Sequence, residues 1–221
     1  MPSTTATDRP ADAIAVAQQY YRRSRPLTYL FALTVVGIVA TGIVLLPFLG
    51  WVGLTLVVAT AVRLPVFTTS GTVQLETTKP PATVREAFTG PFPPVLTFQW
   101  GLTDAVEATE GGGRYEISYL FGLRSVTMTA ECDSTPDAED TDLELVVTAN
   151  GSPWARYQIT IHDGPERTPD GLTLVEIDVD ADRRFGLRRL PQWLVANRYR
   201  DAALDAQGYT VRERETNIAV F

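Results

Sequence analysis

The stretch RPLTYLFALTVVGIVATGIVLLPFLGWVGLTLVVATAVR, Arg25–Arg63, holds 37 residues between its two arginines without one Asp, Glu, Lys, Arg or His. A membrane helix needs roughly 20 apolar residues to cross a hydrocarbon core about 30 Å thick. One continuous helix of this length would reach roughly 55 Å at 1.5 Å per residue, nearly twice that core. Pro47 and Gly50, in LLPFLGWVG, punctuate the middle, and Trp51 is a residue favoured at the membrane boundary. Two helices are therefore predicted, Leu27–Leu46 and Trp51–Phe67. In the second, Arg63 interrupts the apolar run after Val62. Its side chain can snorkel to the head groups, leaving Leu64 to Phe67 in the boundary zone. A short, tilted or re-entrant second helix is the alternative. The run is too long and too far from the start for a signal peptide, and no polar stripe marks it as a soluble core helix.

The flanking charges give an orientation. Arg22, Arg23 and Arg25 precede the first helix, Arg63 closes the second, and the link between them is uncharged. The positive-inside rule puts both ends, and the domain that follows, in the cytoplasm of a multi-pass membrane protein. Upstream, TDRPADAIAVAQQYYRRSR offers Asp8 as an N-cap and Ile14, Ala17 and Tyr21 on one helical face. Residues 1–26 read as a tail or an interfacial helix, 27–67 as the transmembrane hairpin and 68–221 as the soluble domain.

The remainder is acidic. Residues 1–67 carry five arginines against Asp8 and Asp12, and residues 68–221 carry 24 acidic against 14 basic side chains. Lys79 is the only lysine beside 18 arginines. Acid-rich, lysine-poor surfaces resemble those of salt-adapted, haloarchaeal-type proteins. The balance argues against nucleic-acid binding, which needs clustered positive charge. Cys132 is alone, so no intramolecular disulfide forms.

From Thr69 the period changes to two. GTVQLETT is a strand and KPPATVREAFTG a short helix closed by Gly90; PFPPV is a proline-rich connection or a single distorted turn. TFQWGLTDAVEAT is predicted as one strand, bulged at Gly101. RYEISYLFG, SVTMTAEC, LELVVTA, ARYQITIHD and GLTLVEIDVDAD follow, separated by turn signals such as EGGG and NGSP. Their one-sided alternation describes an antiparallel sheet wet on one face. The apolar face needs a cover, and one segment is long enough, Leu187–Gln207, with Leu190, Trp193, Leu194, Ala196, Ala203 and Leu204 on the covering side. YTVRERETNIAVF reads as a last strand or extended tail.

This order, strand, short helix, antiparallel strands and long C-terminal helix, resembles the helix-grip fold of the START-like superfamily, also called the polyketide cyclase or SRPBCC group, over about Ser70–Gly208. The fold class is α+β: a two-helix transmembrane hairpin followed by a helix-grip domain. Two features depart from the pattern. Pro91–Pro94 leaves little room for a second small helix, and the strand after the C-terminal helix is extra.

Motifs for chemistry are absent: no phosphate-binding loop, no HExxH, no paired CxxC, no GxSxG, and hence no cofactor or metal is implied. By parity His162 faces outward and Cys132 inward, so they do not meet. Glu176, Asp178, Asp180 and Asp182 form a ladder on the wet face, with neighbours about 7 Å apart, too far to converge on one ion. Arg183 and Arg184, with Arg188 and Arg189, form a basic cluster suited to anionic head groups. Asn150 opens a glycosylation sequon that a cytoplasmic domain leaves unused.

Tyr115, Tyr119 and Tyr157 point between sheet and helix. The START-like resemblance implies a space there for an apolar ligand, with Met128 and Trp193 beside the tyrosines. The function expected is a membrane-anchored module whose partners are the bilayer and an apolar small molecule. The alternatives are a closed-core structural or regulatory partner and a cyclase- or hydratase-type enzyme, which would need an inward acid or base. The sequence does not fix the oligomeric state.

Overall fold

The computed structural model describes residues 10–103, 105–119, 124–134, 141–162, 171–181, 184–187 and 190–220. Its elements are helices α1 (Ala11–Leu45) and α2 (Phe48–Arg63), strand β1 (Phe67–Thr77), helices α3 (Pro81–Thr89) and α4 (Thr97–Trp100), strands β2 (Ala105–Thr109), β3 (Gly112–Tyr119), β4 (Arg124–Asp133), β5 (Leu143–Ala149), β6 (Ser152–His162) and β7 (Thr173–Asp180), helix α5 (Leu190–Asp205) and strand β8 (Thr210–Val220).

The first departure from expectation is α1. It is one helix of 35 residues that runs through Pro26, instead of starting at Leu27. At 1.5 Å per residue it is about 52 Å long. Pro26 removes one helical N–H, yet the helix continues, and nearby hydroxyls cover carbonyls on either side: Ser24 Oγ donates to Tyr21 O and Thr28 Oγ1 to Ser24 O, each at 3.2 Å. The N-cap is Pro10; Asp8, expected to cap it, lies outside the described residues.

The break falls at Pro47, and α2 begins at Phe48, three residues before the predicted start. A residue preceding proline is pushed to extended backbone, and Leu46 has φ −113° and ψ 147°. Gly50, expected to help break the helix, lies inside α2. The two helices form a hairpin. Trp51 Nε1 donates to Val39 O at 3.2 Å, and a Cβ on Gly42 would stand 2.6 Å from Leu54 Cδ2. Among the described residues one helix, α1, is long and apolar enough to cross a membrane; α2 has 16 residues.

The sheet has eight antiparallel strands in the order β2-β3-β4-β5-β6-β7-β1-β8. The C-terminal strand therefore joins the sheet beside β1, with a register shift at Gln74/Leu75. Leu75, Leu143, Leu145, Ile159 and Ile177 on its inner face are almost wholly buried. Each such side chain contributes roughly 1.5–3 kcal/mol of burial.

The stretch 97–109, predicted as one bulged strand, is a corner. A 3₁₀ turn at Pro94–Leu96 leads into α4, and only Ala105–Thr109 is strand. Phe98 and Trp100 alternate with polar neighbours and mimic a strand. Local hydrogen bonds decide otherwise: Thr97 Oγ1 donates to Pro94 O at 2.7 Å and Trp100 Nε1 to Pro93 O at 2.9 Å. The prolines thus build a second short helix where little room for one was expected.

Helix α5 lies across the inner face and is shorter than Leu187–Gln207. Gly208, at φ +80°, ends it in the left-handed conformation that glycine adopts freely, and Tyr209 N donates back to Leu204 O at 3.0 Å. The N-terminal half of α1 packs on this body. Ala13 and Ala17 are fully buried. The Tyr20 ring sits 4.8 Å from Phe98 and 5.6 Å from Tyr199.

Candidate ligand cavity

Strand register aligns inward side chains in rows. Thr216, Gly71, Val179 and Tyr157 form one row across β8, β1, β7 and β6; Arg214, Val73, Ile177 and Ile159 form the next. Gly71 leaves the first row without a side chain at its centre. It has to, because a Cβ there would strike the Glu215 carbonyl oxygen of the neighbouring strand. Opposite this floor, α5 presents Ala196, Arg200, Ala203 and Leu204, spaced to share one helical face. Small residues on both sides leave a cavity of about 590 Å³ between sheet and helix. That volume falls in the range, roughly 300–1,000 Å³, of small-molecule sites.

Three further parts of the chain complete the wall. Pro94, Val95, Phe98 and Gln99 come from the corner, Phe185 from the segment before α5, and Tyr20 and Thr28 from α1. Phe185 is fixed by paired backbone hydrogen bonds with Phe67, at 2.8 and 3.0 Å. Thr28 belongs to the first turn of the uncharged stretch, so the cavity reaches the level at which that stretch begins.

Few polar groups converge on this space. Tyr157 has no hydrogen-bond partner among the described residues; burial pushes its phenol above the ordinary value and Arg200 pulls it back. Gln99 Oε1 is buried and also without a partner. Arg200, exposed at the rim, reaches Asn197 Oδ1 only at the long limit of 3.5 Å. Arg214 is neutralised by Asp201 at 2.7 Å. Glu215 alternates to the opposite, exposed face.

Of the sequence-predicted ligand residues, Tyr157 is on the wall. Tyr115 and Met128 are in the packed core instead, away from it. The Tyr115 hydroxyl donates to Pro91 O at 3.0 Å, and burial raises its phenol. Tyr119 lies at the end of β3 and Trp193 in α5; both side chains are outside the described residues. Arg22, Arg23, Arg63 and Arg184 are exposed. Arg25 lies in α1 with its side chain outside the described residues, and Arg183 is outside them altogether.

Sequence reasoning missed Arg200, Gln99 and Tyr20. Arg200 was legible, four residues after Ala196 on the covering stripe. Gln99 was hidden by the strand reading of 97–109, and Tyr20 by the reading of α1's start as a tail.

Other reactive groups stand apart from the cavity. Burial and the Asp133 carboxylate push the Cys132 thiol up to about 11, far from thiolate chemistry. His162 Nε2 lies 3.7 Å from Glu176 on the wet face. Asp178 accepts from Thr72 Oγ1, and Asp182 is outside the described residues. Among the described residues no cluster has the makings of a metal site.

No family model matches the chain, and no curated protein matches it. Among solved structures it is similar to a conserved protein from Geobacillus kaustophilus, at 13% identity over 67% of this chain and 99% of that one, with a TM-score of 0.40. It is also similar to a START superfamily protein from Mycobacterium smegmatis, at 14% identity over 64% and 97%, with a TM-score of 0.35. Likeness at this level says nothing of ligand or activity.

Proposed function

We propose that the chain is a membrane-anchored START-like module that holds an apolar or lipid-like molecule between its sheet and α5. The observation that carries this is the cavity, which a closed-core partner would lack. Among the described residues its wall is mostly apolar and its ionisable groups are two tyrosines, two arginines and Glu215, whose side chain is on the opposite face, so none of them is an inward carboxylic acid or histidine for cyclase or hydratase chemistry.

The helical hairpin is the anchor. Leu27–Leu45 covers about 28 Å as helix. Helix α2 covers about 24 Å, and the extended Leu64–Val66 adds about 10 Å. Both legs thus match a core about 30 Å thick. Arg22, Arg23 and Arg25 then lie at the head-group level, Arg63 snorkels to it from the end of α2, and Arg184 is on the same side, since a Cβ on Gly186 would be 2.9 Å from Leu64 O. The uncharged turn lies on the far side, which makes the body cytoplasmic. The carboxylates on the exposed sheet face suit a salt-rich cytoplasm.

The test is native mass spectrometry of the full chain extracted from membranes in detergent. A 1:1 apolar adduct is expected on the wild type. In Ala196→Phe, which fills the roof, adduct occupancy should drop at least tenfold while circular dichroism is unchanged. Equal retention by both proteins, or none by either, would refute ligand binding in this cavity.

A further inference from the structure

We infer that the same cavity selects an amphiphile with an anionic oxyanion head, a carboxylate or a phosphate monoester, held by Arg200 with Tyr157 beside it. This rests on the cavity being a ligand site.

Arg200 is set into an otherwise small and apolar stripe. Ala196 precedes it by one turn, Ala203 and Leu204 follow it by one, and all four line the cavity. Among the described residues no carboxylate lies within 4.0 Å of it, whereas Arg85, Arg156, Arg212 and Arg214 each have one. Arg214 shows what satisfaction looks like on this wall, donating to Asp201 from both Nε and Nη2 at 2.9 and 2.7 Å. Arg200 keeps its fork of donors for something else, and a planar two-oxygen acceptor matches that fork.

One more group faces the same space with no hydrogen-bond partner among the described residues. The Tyr157 hydroxyl is a donor for an oxyanion. The opposing charge, Glu215, is on the other face of β8. The Arg200 charge acts on the Tyr157 phenol, while Val73, Ile177, Val179 and Leu204 offer apolar wall in the same cavity, which describes a head and a tail. Arg200 is exposed, which places the head at the rim and the chain inside.

The test offers the full chain in neutral detergent an equimolar mixture of hexadecanoate, hexadecyl phosphate and hexadecanol, and reads bound ratios by native mass spectrometry. One or both anions should exceed the alcohol at least tenfold, and which anion dominates separates carboxylate from phosphate recognition. Arg200→Gln should bring the ratio to about one with alcohol occupancy unchanged, and Arg200→Lys should restore part of it. Equal retention of acid and alcohol by the wild type, or an unchanged ratio in Arg200→Gln, would overturn the head assignment and leave the cavity reading standing. Retention of none of the three would overturn both.

Discussion

Tyr209 and Lys79 meet where α5 ends. Lys79 Nζ donates to Gln207 O at 2.6 Å and sits 4.6 Å from the Tyr209 ring centroid. A cation at a helix C-terminus is favoured by the helix dipole, so the only lysine in the chain has a structural place, which composition did not disclose. The Tyr209 hydroxyl is buried without a partner, and burial pushes its phenol up to about 12. The folded state therefore keeps a proton that the unfolded state loses above about pH 10. Stability from this group is whole below pH 10 and is lost as pH rises toward 12, by up to about 1.4 kcal/mol per pH unit. Tyr209→Phe should stabilise the protein by about 1 kcal/mol at neutral pH and flatten that alkaline loss. Urea midpoints of the detergent-extracted chain between pH 7 and 12 measure both. At this scale the inward positions of β5, β6 and β7 followed from alternation alone, since parity is a local property. Whether an inward residue met core or cavity did not. Tyr115 and Tyr157 have the same parity, and what separates them is Gly71, two strands from Tyr157.

Among the elements, α1 is the one whose reading changed most. Its apolar half was plain from composition. Its first half looked like a solvated or interfacial helix because Ala13 and Ala17 are small and weakly hydrophobic, and smallness is what lets α1 lie close to the corner. A Cβ on Gly101 would be 3.1 Å from the Ala17 Cβ. Ala17→Trp should therefore lift this half off the body. The expected outcome is tryptic cleavage at Arg22 and Arg23 accelerated at least tenfold, with the sheet's circular dichroism retained; an unchanged cleavage rate would show that this packing is dispensable. The corner at 94–100 was illegible for a different reason. Four residues of alternating polarity fit a strand as well as a helical turn, and only the Trp100 and Thr97 hydrogen bonds to proline carbonyls break the tie.

On the scale of the whole molecule, α1 is shared by two environments. One end closes the cavity with Tyr20 and Thr28, and the other packs against α2 through Gly42 and Trp51. We propose that the apolar hairpin is in lipid and that the cavity above it takes a lipid-like chain. The order of elements and the covering helix were readable from period and length. The cavity was not, because it depends on small residues from distant parts of the chain facing one another. The most direct measurement is photo-crosslinking of the full chain in vesicles with a diazirine-bearing hexadecyl probe, followed by mapping of labelled tryptic peptides. Label is expected on the hairpin and also on the peptide that starts at Tyr157, with the latter lost in Ala196→Phe. Label on the hairpin alone would contradict the cavity's role, and label on neither would contradict the anchor as well.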